Sequence, residues 1–338
     1  MSQTMKAVRL HAFGGPEVLT YEDAPRPAVR AGEVLVRVRA VGLNPPDWYL
    51  RDGYRALPPE WRPDADFPLI LGTDICGVVE ATASDVAGFQ AGDEVYGMVR
   101  FPEGVMTGGG AYAEYVSAPA AHLAHKPDGL DHLHAAAAPM SLLTAWQFLI
   151  ELGHDAPNPF QDFPHEPVEL EGRTVLVNGA GGGVGHLAAQ LAKARGARVI
   201  AVASAKNAAM LGEFGVDQFI DYRKTVVEDV VRDADLVLDA VGGPRMERFL
   251  EVIRPGGALF LVNPLGFEAH DAAAKRGIRV SSTQVRSNGA QLAQVATLLD
   301  RHAVRIVIDS VFPLSEASRA HQRAAEGGIQ GKIVLTVY

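Results

Sequence analysis

Between residues 174 and 193 the chain reads TVLVNGAGGGVGHLAAQLAK, an apolar run that drops into glycines and re-emerges as an alanine-rich segment. No other passage restricts the fold as much. A strand must hand over to a helix within a few residues, and almost every side chain is missing at the turn. Gly182 and Gly185 stand three apart, with Ala180 two before Gly182, a variant of the G-x-G-x-x-G spacing. In such a turn the first small residue permits the bend and the second lets a diphosphate approach the backbone. The third lets the helix pack closely on the strand. Unpaired N–H groups and the positive end of the helix dipole then face the phosphates. Gly179, Ala180, Gly182, Gly183, Val184 and Gly185 are therefore candidate dinucleotide-binding residues. The competing reading is a tight turn with no ligand. The strand before the turn, the helix after it and the strand that follows weigh against that.

The next strand, RVIAVASAKN, bears on the choice of dinucleotide. A cofactor without a 2′-phosphate is usually held by an acidic residue about twenty positions past the glycines. Here that place holds Ala203, followed by Ser204, Lys206 and Asn207, and Tyr222 in FIDYRK can add a phenol. A hydroxyl and an ammonium attract a phosphate that a carboxylate would repel. One charge-assisted hydrogen bond is worth about 1.5–3 kcal/mol, enough for a ten- to hundredfold preference. The expected cofactor is NADP(H). The alternative is a capping Ser204 and a solvated Lys206.

The rest of the chain sorts around this turn. With 338 residues there is room for two or three domains. The first third is β-rich, with KAVRLHAFG, EVLVRVRAVGL and GVVEATAS punctuated by Gly and Pro turns, a pattern of barrel-like or sandwich-like folds. From residue 174 to about 283 apolar strands alternate with helices, which argues for a parallel sheet covered on both faces. HDAPNPFQDFPHEPVELEG reads as an exposed loop or insertion. A net charge of −9 disfavours nucleic acid and anionic membranes as partners. One cysteine, Cys76, precludes an intramolecular disulfide and a four-cysteine zinc lobe, and sits in an apolar strand as a core residue. The start lacks a signal-peptide core, and no apolar stretch spans a bilayer, so a soluble cytoplasmic protein is expected. HLAHKPDGLDHLH gathers His122, His125, Asp131, His132 and His134, but the spacing matches no known ligand motif; solvated or capping histidines are expected.

Taken together, the chain resembles the medium-chain dehydrogenase/reductase superfamily, most closely its zinc-independent quinone oxidoreductase branch. The resemblance runs through VGLNPPDWYLRDG, PLILGTDICGVVEA, AGDEVYG, GAYAEYVSAP, PMSLLTAW, VLVNGAGGGVGHLAAQLAK, FIDYRK, LVLDAVGG, RPGGALFLV and VFPLSEASRAHQRAAEGGIQGKIVL, in order. It implies an α/β protein in which a doubly wound Rossmann sheet, residues 130–287, is inserted in a GroES-like β-rich domain formed by residues 1–129 and 288–338. It also implies an active site in the cleft between domains and a homodimer. Thr144 matches the family threonine near the nicotinamide, and Lys332 matches a position reaching the cofactor from the C-terminal segment. Val241 and Asn263 complete the cofactor candidates.

The zinc-dependent branch places a cysteine where this chain has Asn44, and Gly-His-Glu where it has Gly72-Thr73-Asp74, so no metal is expected. The family lysine fifteen residues before the tyrosine is replaced by Asn207, with Lys206 beside it, which re-aims the phosphate grip by one residue. Without a metal the substrate must already be electron-poor: a quinone or an α,β-unsaturated carbonyl compound. Hydrogen-bond donors then suffice for the oxyanion. The candidates are the Asn44 amide and the Tyr49 phenol, with Tyr54 a further phenol; Asp47 reads as a local hydrogen-bond acceptor. The competing roles are a turn asparagine and a packed tyrosine. The expectation is an NADPH:quinone oxidoreductase-like enzyme. Its alternatives are a 2-enoyl thioester reductase and a non-catalytic NADPH-binding sensor or structural protein. The stretches 55–68 and 153–172 look longer than is usual in the family and bear on the substrate mouth.

Overall fold

A computed structural model describes residues 4–62, 64–156, 161 and 163–338. Strands run over Thr4–Leu10 (β1), Leu19–Pro25 (β2), Glu33–Gly42 (β3), Leu69–Ile70 (β4), Asp74–Thr82 (β5), Glu94–Met98 (β6), Tyr115–Pro119 (β7) and Leu123–His125 (β8). They continue with Thr174–Asn178 (β9), Arg198–Ala203 (β10), Gln218–Asp221 (β11), Ala234–Asp239 (β12), Ile253–Leu261 (β13), Arg279–Ser281 (β14), Ile308–Pro313 (β15) and Lys332–Thr336 (β16). The helices are Pro45–Arg51 (α1), Gly104–Thr107 (α2), His132–Ala137 (α3), Pro139–Leu149 (α4), Gly183–Ala194 (α5), Ala208–Glu213 (α6), Val227–Val230 (α7), His270–Lys275 (α8), Gly289–Asp300 (α9) and Ala317–Ala325 (α10). Among the described residues no helix is long and apolar enough to cross a membrane.

The chain forms two compact units. One takes the residues up to Leu143 with Arg286–His302 and Ile306–Tyr338; the other takes Thr144–Val285 with Ala303–Arg305. The division falls inside α4, so α3 is grouped with the β-rich unit.

In the β-rich unit one sheet runs β15-β16-β3-β5-β6-β8 with β7 also on β3, and a second runs β2-β1-β4. Period-two patterning builds the core. Val34, Val36 and Val38 of β3 point inward while Arg37 faces solvent, and Ile75, Val79, Ile333 and Leu335 join the same apolar cluster. The C-terminal β16 pairs antiparallel with β3, Leu335 opposite Val41, so a segment from the end of the chain completes a sheet begun near its start.

The other unit is a six-stranded parallel sheet in the order β11-β10-β9-β12-β13-β14. Its strands are near-continuous apolar runs because helices cover both faces; Val175, Leu176 and Val177 of β9 are fully buried. Successive strands are added on one side of β9 and then on the other, and between β9 and β12 lies the switch point where α/β sheets bind ligands. A GroES-like β-rich unit with a Rossmann sheet is thus the observed architecture.

Two expectations need correction. The strand-helix alternation expected to about residue 283 ends in a strand of only three residues, Arg279–Ser281. The proline-rich segment 154–172 is not simply an exposed loop, although residues 157–160 and 162 of it lie outside the described residues. His165 is buried, with Nδ1 at 2.8 Å from Ser281 Oγ and Nε2 at 2.9 Å from the Phe148 carbonyl. Its ring packs edge-on against Phe260, centroids 4.5 Å apart, and Leu170 is buried too. A histidine with both nitrogens bonded can enter an apolar site that its polarity would otherwise forbid.

Candidate functional site

The nucleotide side belongs to the Rossmann unit. Gly179 turns the chain with φ of +77°, a conformation that Ala180 would adopt only with strain; Ala180 is instead fully buried. The bend therefore belongs to Gly179 and not, as the spacing suggested, to Ala180. A Cβ on Gly185 would overlap the Gly179 carbonyl, so this glycine is what lets α5 close on the turn. Gly182, the N-cap of α5, is different: a Cβ there would meet no protein atom nearer than the Gly179 oxygen at 3.5 Å. The fold does not need that position bare, and a cradle that only a ligand would fill fits the diphosphate of a dinucleotide. Gly183 and Val184 begin the first turn of α5, half-buried.

Two residues that the sequence reading passed over brace this crevice. Asn178 ends β9 and Asp239 ends β12, and the Asn178 amide donates to Asp239 Oδ1 at 2.7 Å across the switch point. The backbone N–H groups of Val241 and Gly242 donate to the same oxygen at 3.0 and 3.3 Å. Asp239 Oδ2 is buried with no partner among the described residues. The available signal was a polar residue terminating each of two apolar strands, TVLVN and ADLVLD. Val241 is exposed beside Gly179, Asn263 Oδ1 accepts from Leu265 N–H at 3.4 Å, and Thr144 is buried within α4.

β10 and β11 end side by side, Ala203 opposite Asp221, with Tyr222 N–H donating to the Ala203 carbonyl at 3.3 Å. Ser204, exposed Lys206 and exposed Tyr222 therefore gather past the same two strand ends. Asn207 does not take part as expected. It is buried against Gly181, where a Cβ would overlap its amide, and its Nδ2 donates to Ser204 Oγ at 3.1 Å. Of the two neighbours, Lys206 and not Asn207 is the one left exposed for a re-aimed grip.

The β-rich unit carries the substrate-side candidates. Pro45 and Pro46 fit the first turn of α1, where no backbone donor is needed. Asn44 caps that helix, and Asp47 Oδ2 accepts the Asn44 backbone N–H at 2.9 Å, so Asp47 is a local acceptor. The Asn44 side chain is only 1% exposed. Its Nδ2 donates to the Gly42 carbonyl at 3.3 Å and bonds to Asp74, and its Oδ1 accepts from Lys332. An amide so engaged is not presented as an oxyanion donor, which leaves the two phenols as the candidates. Tyr49 is 41% exposed, and Tyr54 lies 6.0 Å away between ring centroids, half-buried with φ of 52°. Burial raises both phenols above their ordinary range.

Lys332 also departs from expectation. It is 4% exposed, donates to the Leu43 carbonyl at 2.6 Å and to Asn44 Oδ1, and lies 3.9 Å from Asp74 Oδ2. Asp74 is fully buried, and both its oxygens accept from Met140 N–H at 3.0 Å. Burial pushes the Asp74 carboxyl up to about 6, against the pull of Lys332. The ammonium is thus bonded to the interior of the β-rich unit. This set does not fit zinc: an amide, the Thr73 hydroxyl and Asp74 replace imidazole and thiolate, and a lysine ammonium already occupies the cation's place on Asn44.

The histidine-rich stretch holds no shared centre. Asp131 caps α3 through His134 N–H at 2.8 Å, His122 accepts from Arg100 N–H at 3.0 Å, and His132 lies 3.2 Å from both Cys76 Sγ and Glu94 Oε1. Among the described residues no group of three or more His, Cys, Asp or Glu is arranged to hold a metal.

A GroES-like unit joined to a Rossmann unit with this glycine turn defines a class, the two-domain nucleotide-dependent dehydrogenases. Comparison with known proteins narrows it. Residues 30–128 match the alcohol dehydrogenase GroES-like domain family, and residues 214–335 match the zinc-binding dehydrogenase family. The mouse NAD(P)H oxidoreductase RTN4IP1, mitochondrial, is 30% identical over 99% of this chain and 90% of its own length. The structure of the quinone oxidoreductase from Coxiella burnetii superposes with a TM-score of 0.85 at 31% identity, covering 99% of this chain and 100% of that one. Mycobacterial Rv1454c complexed with NADPH superposes with a TM-score of 0.81 at 26% identity, covering 98% and 100%. The chain belongs to the medium-chain dehydrogenase/reductase superfamily, on its quinone oxidoreductase-like side, and is an oxidoreductase.

Proposed function

We propose that the protein is an NADPH-dependent, zinc-independent reductase of quinones or α,β-unsaturated carbonyl compounds. One observation carries the reading. The open glycine cradle at Gly182 is followed, at the end of the next strand, by Ala203 and Ser204 where a carboxylate would select the unphosphorylated cofactor. The NADPH complex of the mycobacterial neighbour supports the same choice. Backbone N–H groups of Gly183 and Val184, beside the open Gly182, would hold the diphosphate, and Ser204, Lys206 and Tyr222 the 2′-phosphate. Bound NADPH supplies a hydride. The chain's own task is to hold the carbonyl oxygen of an electron-poor substrate as charge develops on it, and the exposed Tyr49 phenol is the available donor. We take the assembly as a homodimer and, on its single cysteine, the location as cytoplasmic.

The experiment is direct. Purified protein is mixed with NADPH and a panel of quinones and enones, and loss of NADPH absorbance is followed; silence across the panel rejects the reading. Lys206→Ala is expected to weaken NADPH about tenfold while leaving NADH within about twofold, since it removes one charge-assisted contact. Equal weakening of both cofactors in a binding titration removes the phosphate role.

A further inference from the structure

Three buried polar side chains have no part in the reading above, and all three connect to Asp47. Arg51 Nη1 lies 2.9 Å from His321 Nδ1, His321 Nε2 lies 2.9 Å from the Tyr112 hydroxyl, and that hydroxyl lies 3.1 Å from Asp47 Oδ2. Tyr112 and His321 are almost wholly inaccessible, and Asp47 and Arg51 are buried. Asp47 and Arg51 stand four apart on α1, a spacing at which a carboxylate and a guanidinium normally pair directly. Here a tyrosine preceding β7 and a histidine from α10 are inserted between them, closing a ring through the helix.

Chemistry fixes the direction of this ring. A guanidinium only donates, so His321 Nδ1 must accept from Arg51. The ring proton then sits on Nε2 and is donated to the Tyr112 oxygen, which leaves the tyrosine hydroxyl proton for Asp47. Burial and the Arg51 charge push His321 down to about 3, so the neutral form that this direction needs is the one present. The chain does not conduct protons, because it ends on a group that has no lone pair and stays charged. What it can do is hold. α1 has seven residues, too few to be stable alone, and it is tied at its first turn through Asp47 and Asn44 N–H and at its last turn through Arg51, which also donates to the Gly14 carbonyl at 3.1 Å. The Tyr112 ring is seated against Gly72, where a Cβ would overlap it, and the Trp48 ring meets His321 edge-on.

We propose that Arg51, His321, Tyr112 and Asp47 form a polarised strap that positions α1, and through it the Tyr49 phenol, for substrate reduction. These are positioning residues, and the proposal rests on the reductase reading above. Asp47 is faced by its own helix through Asn44 N–H, by Tyr112 before β7, by Asp74 of β5, by Lys332 of β16 and by Tyr54 after α1. Burial, with Asp74 adding to it, pushes Asp47 up to about 7, while Asn44 N–H, Lys332 and Tyr112 pull the other way. Removing the Tyr112 hydroxyl must therefore raise Asp47 further.

The test uses the full-length protein with NADPH and phenanthrenequinone, and three variants. Tyr112→Phe and His321→Leu are expected to lower kcat about tenfold with KM for NADPH within about twofold, the size of losing one buried hydrogen bond. His321→Gln keeps an acceptor toward Arg51 and a donor toward Tyr112, and should recover most of kcat. The acid limb of the rate profile should move to higher pH in Tyr112→Phe, as should the Asp47 titration followed by NMR of carboxyl-labelled aspartate. Wild-type kcat in His321→Leu, no recovery in His321→Gln, or an unmoved Asp47 titration in Tyr112→Phe overturns the strap. If His321→Leu fails to fold, the other two variants decide. If the wild-type protein reduces none of the panel, the reductase reading fails separately; the Asp47 titration and the His321 Nε2 proton resonance still judge the strap.

Discussion

Lys332 is an ammonium ion shut away from water, and its three neighbours explain how it is tolerated. The Leu43 carbonyl, Asn44 Oδ1 and Asp74 together replace the hydration it has lost, although burial still lowers its hold on the proton. Lys332→Met keeps the length and removes the charge, leaving Asn44 and Asp74 without their cation. Breaking such a buried pair costs about 3–5 kcal/mol, and urea unfolding of the variant should show a loss of that size. Lys332 also marks a limit of sequence reading. Its match to a family position reaching the cofactor was legible in GKIVL, but a lysine in a strand reads the same whether its ammonium points out or in. Asn207 is a parallel case: nothing in SAKN announces that its amide lies beneath Gly181.

The glycine turn separates two kinds of bare position within one strand-to-helix element. Gly185 is bare because protein fills the space; Gly182 is bare although the protein leaves it open. Gly185→Ala must push α5 off the turn, and overpacking of this sort costs about 1–3 kcal/mol, visible as a lowered Tm. Gly182→Ala should fold with Tm nearly unchanged, yet bind NADPH at least about tenfold more weakly, because the methyl group enters the space meant for phosphate. Calorimetry and a binding titration on the two variants distinguish the cases; equal loss of stability in both contradicts the cradle. The motif was legible because a missing side chain in a strand-turn-helix is a sequence-local signal. The closing of α1 was not: Asp47 read only as a local acceptor, and the residues that tie it to Arg51 come from positions 112 and 321.

Across the molecule, four buried titrating groups pull stability in opposite directions. Asp47 and Asp74 are raised to about 7 and about 6, so folding takes up protons there and stability falls as pH rises through that range. His165 and His321 are lowered to about 4 and about 3, so the unfolded chain binds protons that the folded one refuses, and stability falls as pH drops below the ordinary histidine range. Between about pH 4 and 6 the two pairs nearly cancel, and unfolding free energy should change little from these groups. His165→Gln removes one histidine from the balance. Relative to wild type, its stability should then decline with rising pH over that window by about 1.4 kcal/mol per pH unit, measured by urea unfolding at several pH values. A variant curve parallel to the wild type contradicts the assignment.

By itself the sequence determined the parallel sheet, the glycine turn, the β-rich unit around it and the absence of a carboxylate at Ala203. All of these are written in short-range periodicity and in which side chains are missing. Tertiary structure alone decided which polar groups face inward. Whether Asn44, Lys332, Asn207 and His165 serve a ligand or the interior depends on partners far away in the chain, because a buried polar group survives only where distant atoms complete its hydrogen bonds.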